Sequence, residues 1–417
     1  MKSLLDKVNA KLNAQGGFLK SIMLLVSGMV FAHAITVLAL PFITRLYSPE
    51  DFSRLAVYTS LLGIFSVIAC LRYEIAIPLP ETDCEAERLL IISIFNSFIF
   101  STFLFFILFV FSNQIKYLLG SGYFTEITWL LPLGVFATSL YSAYKFWCTR
   151  VKDFKAIAHT KIQQSISSIV AQLTLGWLGM TSIGMLIGQF LYNGAGVISL
   201  IRKKGLFLKH QIFQLKETYK NYIQYPKYSV GEALFNTAGV HLPILIIAAA
   251  ESKEAGYLLL ASKIMVIPMV LIGTSVSQVY YAHASEENKK NNLRNFTFSC
   301  MKKLLFLGFF PLLLIGILAP FSFSLFFGYE WERAGELVAW MTPWFIMQFI
   351  VSPVTMVFHI SGLQKKALFL QFIGLFLKIS LVYFTIFFNE IWVSEMYAVS
   401  GFLFYLIYII CIYRYIK

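Results

Sequence analysis

Runs of roughly twenty apolar residues recur along this chain, each long enough to cross the hydrocarbon core of a bilayer. They fall near residues 20–44, 53–77, 89–112, 125–147, 157–178, 182–201, 223–248, 255–281, 300–326, 334–360, 366–388 and 391–413. Composition agrees. The chain is 58% hydrophobic and 13% charged over 417 residues, with 41 Phe, whereas a soluble domain is about one quarter charged. A soluble core stops growing near this length, so much of this apolar surface needs lipid as its solvent. The sequence predicts an all-α polytopic membrane protein with about twelve transmembrane helices.

The net charge of +13 would raise the question of nucleic acid in a soluble protein. Here the Lys and Arg fall between apolar runs and form no aromatic-interleaved patch, so no nucleic-acid partner is expected. Placing the N-terminal tail on one side and alternating leaves only Arg45, Arg54, Lys116, Lys253 and Arg333 on the far side. Lys263 and Lys378 fall inside the membrane, and every other basic residue falls on the near side. That bias puts both termini of this multi-pass membrane protein in the cytoplasm. The first apolar run begins near Leu19, behind a basic amphipathic tail, and is too long for a cleavable signal. Cys70, Cys84, Cys148, Cys300 and Cys411 all fall toward the cytoplasmic side. They predict no disulfide framework, and their spacing matches no metal site.

The chain also reads as two halves. "LALPFITRLYSPEDFSRLAVYTS" begins at Leu38, and "GVHLPILIIAAAESKEAGYLLLASK" begins at Gly239. Each places Leu-Pro inside a helix, then an acidic turn opened by Ser48 or Ser252, then a new helix. Pro41 and Pro243 anchor the match. The predicted organisation is a cytoplasmic tail over 1–18, a six-helix bundle over 19–201, a basic linker over 202–222 and a second six-helix bundle over 223–417. Paired repeats of this kind build a substrate path at their interface, so a central cavity is expected between the bundles.

The stretch "LPFITRLYSPEDFSRLAVYTSLLGIFSVIACLRYEIAIPLPETDCEA" resembles the N-terminal signature of Wzx-type O-antigen and polysaccharide repeat-unit flippases. These belong to the multidrug/oligosaccharidyl-lipid/polysaccharide exporter superfamily. "YPKYSVGEALFNTAGVHLPILI" and "EAGYLLLASKIMVIPMVLIGTSVSQVYYAHASE" resemble the same family's seventh and eighth helices. The one departure in the first block is Ser53, where family members usually carry Gly. The resemblance implies movement of an undecaprenyl-diphosphate-linked oligosaccharide from the cytoplasmic to the periplasmic leaflet by alternating access. It also implies contact with a polysaccharide polymerase and a chain-length regulator. A monomer in contact with membrane lipid is expected because two fused halves already make a complete pore, and no cofactor is expected.

A lipid-linked sugar carries an anionic diphosphate, so cations facing the bundle interior are the expected signature. A charge near the bilayer centre costs at least about 2.5–3.5 kcal/mol on insertion scales and persists for function or for a buried pair. Lys378 lies near the middle of the eleventh run. Gln371, Lys378 and Thr385 recur at sevens, making one polar stripe on a helix otherwise of Phe, Leu and Ile. Lys378, Lys263, Arg72 and Gln371 are the substrate-binding candidates, against the alternatives of a packing ion pair, snorkelling or interfacial anchoring. Glu74, Glu232, His33 and Asn236 are candidates for gating or ion coupling. Glu232, Asn236 and Pro243 share a face of the seventh run, with His241 pointing elsewhere. Arg72 and Glu74 are two residues apart and would not share a helix face. Gln164, Ser168 and Gln172, spaced at fours, read either as interhelical glue or as a sugar-facing wall.

No Walker lysine stands in a Gly-rich loop, and nothing else forms a catalytic set, so an enzyme is not expected. A cation-coupled exporter of the same superfamily is the competing reading. It calls for an acidic cluster in the first bundle, where the sequence offers little beyond Glu74. A polymerase or ligase would need a long periplasmic loop with Arg or His, and these loops are short.

Overall fold

The computed structural model describes residues 18–114, 121–204, 214–251 and 253–416. The amphipathic tail, residues 205–213 of the basic linker and Ser252 lie outside the described residues. Twelve long helical segments follow one another. They are α1 (Phe18–Leu46), α2 (Pro49–Ala69), α3 (Asp83–Val110), α4 (Ser121–Arg150), α5 (Phe154–Trp177) and α6 (Thr181–Lys204), then α7 (Val230–Ala250). α8 comes in two pieces, Glu254–Pro268 and Thr274–Lys289, joined by a π turn at Met269–Gly273. α9 (Leu293–Phe327), α10 (Glu332–Val351), α11 (Gln364–Phe388) and α12 (Val393–Tyr415) complete the chain. Among the described residues, 9 helices are long and apolar enough to cross a membrane. α4, α5 and the two pieces of α8 are not among them, and they carry Lys145, Lys161 and Lys263 in their bodies.

Several boundaries differ from expectation, each for a local reason. α2 stops at Ala69 and not at 77, because Leu71 and Arg72 take positive φ of 50° and 63°. The backbone then turns through a 3₁₀ segment, Tyr73–Ala76. At its other end α2 opens with Pro49 and a reciprocal cap between Ser48 and Asp51. The acidic stretch Glu81–Glu87, which precedes the third run, supplies the first turn of α3. Thr82 caps it, and Asp83 and Glu85 meet the positive end of the helix dipole. The seventh run begins late, at Val230, after a short helix Leu215–Asn221 and a π turn Tyr225–Ser229. The tenth run breaks after Val351 into a 3₁₀ turn holding Pro353 and a short helix Val357–Ile360.

The two halves pack alike. In the first, α1 packs on α5, α5 on α6, α3 on α4, and α4 on both α6 and α2. In the second, α7 packs on α11, α11 on α12, α9 on α10, and α10 on both α12 and α8. Adding six to each helix number turns one set of pairs into the other. The sequence repeat is therefore a structural one: two six-helix lobes around a central seam. α2 crosses that seam to pack on α7 and α8.

Buried residues divide along the membrane normal. One apolar core joins both lobes, running through Leu40, Phe52, Leu55, Leu258, Ala261, Trp331 and Phe345. Toward the end that carries the termini it splits. One core belongs to the N-terminal lobe, around Tyr73, Leu89, Tyr144 and Trp147. A separate one belongs to the C-terminal lobe, around Tyr280, Val354, Phe358 and Tyr408. The lobes are thus fused at one end and parted at the other. Exposed Phe103, Phe109, Phe306, Phe321 and Phe387 form the apolar exterior that lipid covers.

The fused end is built from backbone and aromatic contacts. Trp331 sits edge-on to Phe52, centroids 4.5 Å apart, and its indole N–H donates to the Thr44 carbonyl at 3.1 Å. A Cβ on Gly256 would lie 2.1 Å from the Pro49 carbonyl oxygen, so the start of α8 touches α2 only because that side chain is absent. Each lobe braces its own seam helix there with a buried carboxylate and a serine. Ser182 of α6 donates to Asp51 at 2.7 Å, and Arg54 donates to Ser182. Ser394 of α12 donates to Glu254 at 2.5 Å. Arg333 gathers Glu254 at 3.0 Å, Glu336 at 2.9 Å and Glu395 at 2.6 Å.

Candidate functional site

The parted end holds two adjoining cavities. The first, about 410 Å³, lies within the C-terminal lobe between α7, α10, α11 and α12. Glu232, Asn236, Gln348, Gln371 and Lys378 line it, with Tyr405 and Tyr408 opposite. The second, about 240 Å³, crosses the seam. It shares Glu232, Asn236 and Gln371 with the first and adds Arg72 from the N-terminal lobe. Five of the candidate residues, Lys378, Gln371, Arg72, Glu232 and Asn236, are therefore brought to one continuous space. Helical period explains the convergence. Gln371 and Lys378 lie two turns apart on α11, and Glu232 and Asn236 lie about one turn apart on α7, which packs against it.

Lys378 is 5% exposed. Its Nζ stands 5.4 Å from the Trp344 ring and 5.3 Å from the Phe404 ring, a cation–π setting. Among the described residues no carboxylate lies within ion-pair distance of it. The wall nearby holds other unmet polar atoms: Gln348 Oε1 and Trp344 Nε1 are buried without a hydrogen-bond partner. An ammonium desolvated without a counter-ion is costly unless an anion comes to it.

At the rim, Arg72 and Glu74 do meet, at 3.6 Å. The expectation that they would point apart assumed a continuing helix, and the positive φ at Arg72 bends the chain so that they converge. Glu74 is 4% exposed. Burial pushes its carboxyl above the usual range, with Arg72 pulling the other way. Arg72 Nε and Glu74 Oε2 remain without partners.

The structure places the other candidates elsewhere. Lys263 is partly buried on α8 and lines neither cavity. His33 is partly buried on α1, where Lys161 of α5 acts on it through space. His241 turns from the cavity toward α2, with Nδ1 3.3 Å from Ser60 Oγ. Gln164, Ser168 and Gln172 are buried, and Gln164 donates to the Asn193 carbonyl of α6 at 3.1 Å, the glue reading. The acidic start of α3 is braced within its own lobe, by Arg150 to Asp83 at 2.9 Å and to the Pro80 carbonyl at 2.6 Å.

Two cations that sequence reasoning counts with the cytoplasmic-side charges stand near the ends of their helices. Lys145 lies in the last turns of α4, its Nζ 5.1 Å from the Phe146 ring. Lys161 lies on α5, 3.0 Å from Gln164 Oε1 and 4.8 Å from the Tyr141 ring. Lys161, Gln164 and Ser168 run along one helix face, a signal that a polar stripe search over 157–178 would have found. Among the described residues, no group of three His, Cys, Asp or Glu side chains could hold a metal ion.

Residues 42–336 match a family model described as "Polysaccharide biosynthesis protein". The match spans well over half of the chain, and the protein belongs to that family. Its fold is like that of solved membrane transporters. The lipid II flippase MurJ in an inward closed conformation superposes with a TM-score of 0.73 at 16% identity, over 93% of this chain and 87% of that one. An inward-facing multidrug-resistance MATE transporter superposes with a TM-score of 0.65 at 14% identity, over 92% and 96%. A comparison with curated protein sequences returned no match.

Proposed function

We propose that this protein is a flippase. Its cargo is a polyprenyl-diphosphate-linked oligosaccharide, of the kind that builds O-antigen or a similar surface polysaccharide. The observation that carries the reading is Lys378: a buried ammonium without a counter-ion, opening on a polar cavity that reaches across the seam to Arg72. An arriving diphosphate supplies the missing negative charge, Gln348, Gln371 and Asn236 offer hydrogen bonds to sugar, and the lipid tail stays in the bilayer. The family match supports a role in polysaccharide biosynthesis, and the likeness to MurJ supports a fold able to carry lipid-linked sugars.

In this reading both termini are cytoplasmic, because the basic residues gather at that end, and the protein works as a monomer in the inner membrane. Residues 1–18 form a tail, 19–201 and 223–417 the two moving bodies, and 202–222 their linker. The fused end is then periplasmic, and the structure is the cytoplasm-facing state. The cation-coupled exporter needs an acidic site in the N-terminal lobe, and Glu74, its buried carboxylate at the cavity rim, is already engaged by Arg72.

Deleting the gene in its source strain and locating the diphosphate-linked repeat unit tests the proposal. The unit should accumulate in the cytoplasmic leaflet, wild type should clear it, and Lys378→Ala should fail to clear it while present at normal abundance. Unchanged surface polysaccharide with retention of dyes or toxic cations would overturn the reading in favour of drug export.

A further inference from the structure

A third concavity, about 550 Å³, shares no residue with the Lys378 cavities. Its floor is α3, through Ile91, Ile92, Phe95 and Asn96, and its other wall is the short helix Leu215–Asn221 with Ile223. Phe95 is 62% exposed and continues the exposed stripe of Phe98, Phe103, Phe106 and Phe109 along α3. The groove therefore opens toward the lipid that covers that stripe. The short helix is held in place from below. Tyr73 Oη donates to the Tyr219 carbonyl at 3.1 Å, and the two rings lie 5.0 Å apart.

The groove joins two chemistries. Its body is apolar, and its rim carries Lys216 and Lys220, one turn apart and both exposed. Among the described residues neither pairs with a carboxylate, although Glu217 sits between them in sequence. On the lining, Asn96 Nδ2 is buried without a hydrogen-bond partner. The apolar body, about 550 Å³ and open along one side, can take one acyl chain.

We infer that this groove binds an anionic phospholipid. One acyl chain lies along Ile91, Ile92, Phe95 and Ile223, Lys216 and Lys220 hold the phosphate, and Asn96 donates to the ester carbonyl. The site uses the terminus-bearing, lysine-rich end of the molecule, which the orientation above places against the anionic cytoplasmic leaflet. Each Lys at such a surface contributes about 1 kcal/mol, or about fivefold in occupancy.

The test needs no sugar substrate, so its failure and that of the flippase reading are separate. The full chain is reconstituted in phosphatidylcholine nanodiscs containing phosphatidylglycerol with a photoactivatable acyl chain, and crosslinked peptides are identified by mass spectrometry. Labelling should concentrate on residues 91–96 and 215–223. The K216Q/K220Q double variant, altered only at exposed side chains, should lower it by at least about tenfold and leave labelling by a phosphatidylcholine probe unchanged. Ile92→Trp should fill the groove and lower labelling by both probes there. Labelling spread evenly over the α9 face around Phe306 and Phe321 would overturn the site. Labelling indifferent to the double variant would overturn the anionic lipid, and displacement by equimolar polyprenyl phosphate would overturn the phospholipid as occupant.

Discussion

The two ends of this molecule are built from similar residues and do opposite things. At the fused end, apolar side chains of both lobes share one core, and the contacts between lobes involve backbone: the Pro49 carbonyl against Gly256 and the Thr44 carbonyl against Trp331. At the parted end each lobe keeps a core of its own, and the space between them is lined by Arg72, Asn236, Gln371 and Glu232. Closeness at the first end comes from omitted side chains, and the space at the second is lined by polar ones. A transporter needs both, since an end that seals must also part and an end that admits a charged headgroup must stay wet.

The comparison breaks most severely at Gly256. In Gly256→Val the new side chain meets the Pro49 carbonyl, so the seal cannot form. Glu50→Cys and Lys253→Cys, whose parent side chains lie 3.6 Å apart, should crosslink readily in the parent and fail to do so beside Gly256→Val, with transport abolished. Lys378→Met should abolish transport as completely while sparing the fold. Removing a desolvated charge that has no partner should leave thermal stability equal or higher, and a marked loss of stability would assign Lys378 to structure.

Arg333→Ala strands Glu254 and Glu395 beside the fused end. Removing one partner of a buried pair costs about 3–5 kcal/mol, which should show as a lowered unfolding temperature. A smaller effect is tied to pH. Glu74, just beyond the end of α2, has its carboxyl raised by burial. The folded state therefore holds that proton more tightly than the unfolded chain, and the stability it contributes is lost as pH climbs above the usual carboxylate range. Glu74→Gln should flatten the pH dependence there, and an unchanged slope would remove Glu74 from the account. Smallest is Lys253→Gln. Its pair with Glu50 is exposed on both sides, and such pairs are worth about 0.2–1 kcal/mol. Transport near the parent level would show that packing, not the ion pair, holds the seal.

Helical period made much of the site legible. Gln371 and Lys378 on one stripe, with Glu232 and Asn236 on another, could be placed on common faces from spacing alone, and the structure puts the two stripes against one cavity. Hydropathy could not see where a helix ends inside an apolar run. The turn at Leu71 and Arg72 uses positive φ at residues other than Gly, and composition does not announce that. It also could not rank depth for cations near a boundary. Lys145 and Lys161 count with the cytoplasmic-side charges because each sits within a few turns of a helix end, and spacing gives no sign that both lie against aromatic rings. Lys263 shows the opposite limit, since a lysine placed inside the membrane by sequence lines neither polar cavity. Gly256 is invisible for another reason: what matters is the Pro49 carbonyl opposite it, a contact formed only when the lobes meet.

The break in α8 has a consequence of phase. Its first piece carries Ala255, Leu258 and Ala261 into the shared core, and its second carries Tyr280 and Ala284 into the core of the C-terminal lobe alone. A π turn accommodates one more residue than an α turn, and each residue advances the face of a helix by about 100°. Met269–Gly273 thus resets the angular register between the two pieces. One stretch of sequence keeps step with the fused end, and the next keeps step with the core of the C-terminal lobe alone.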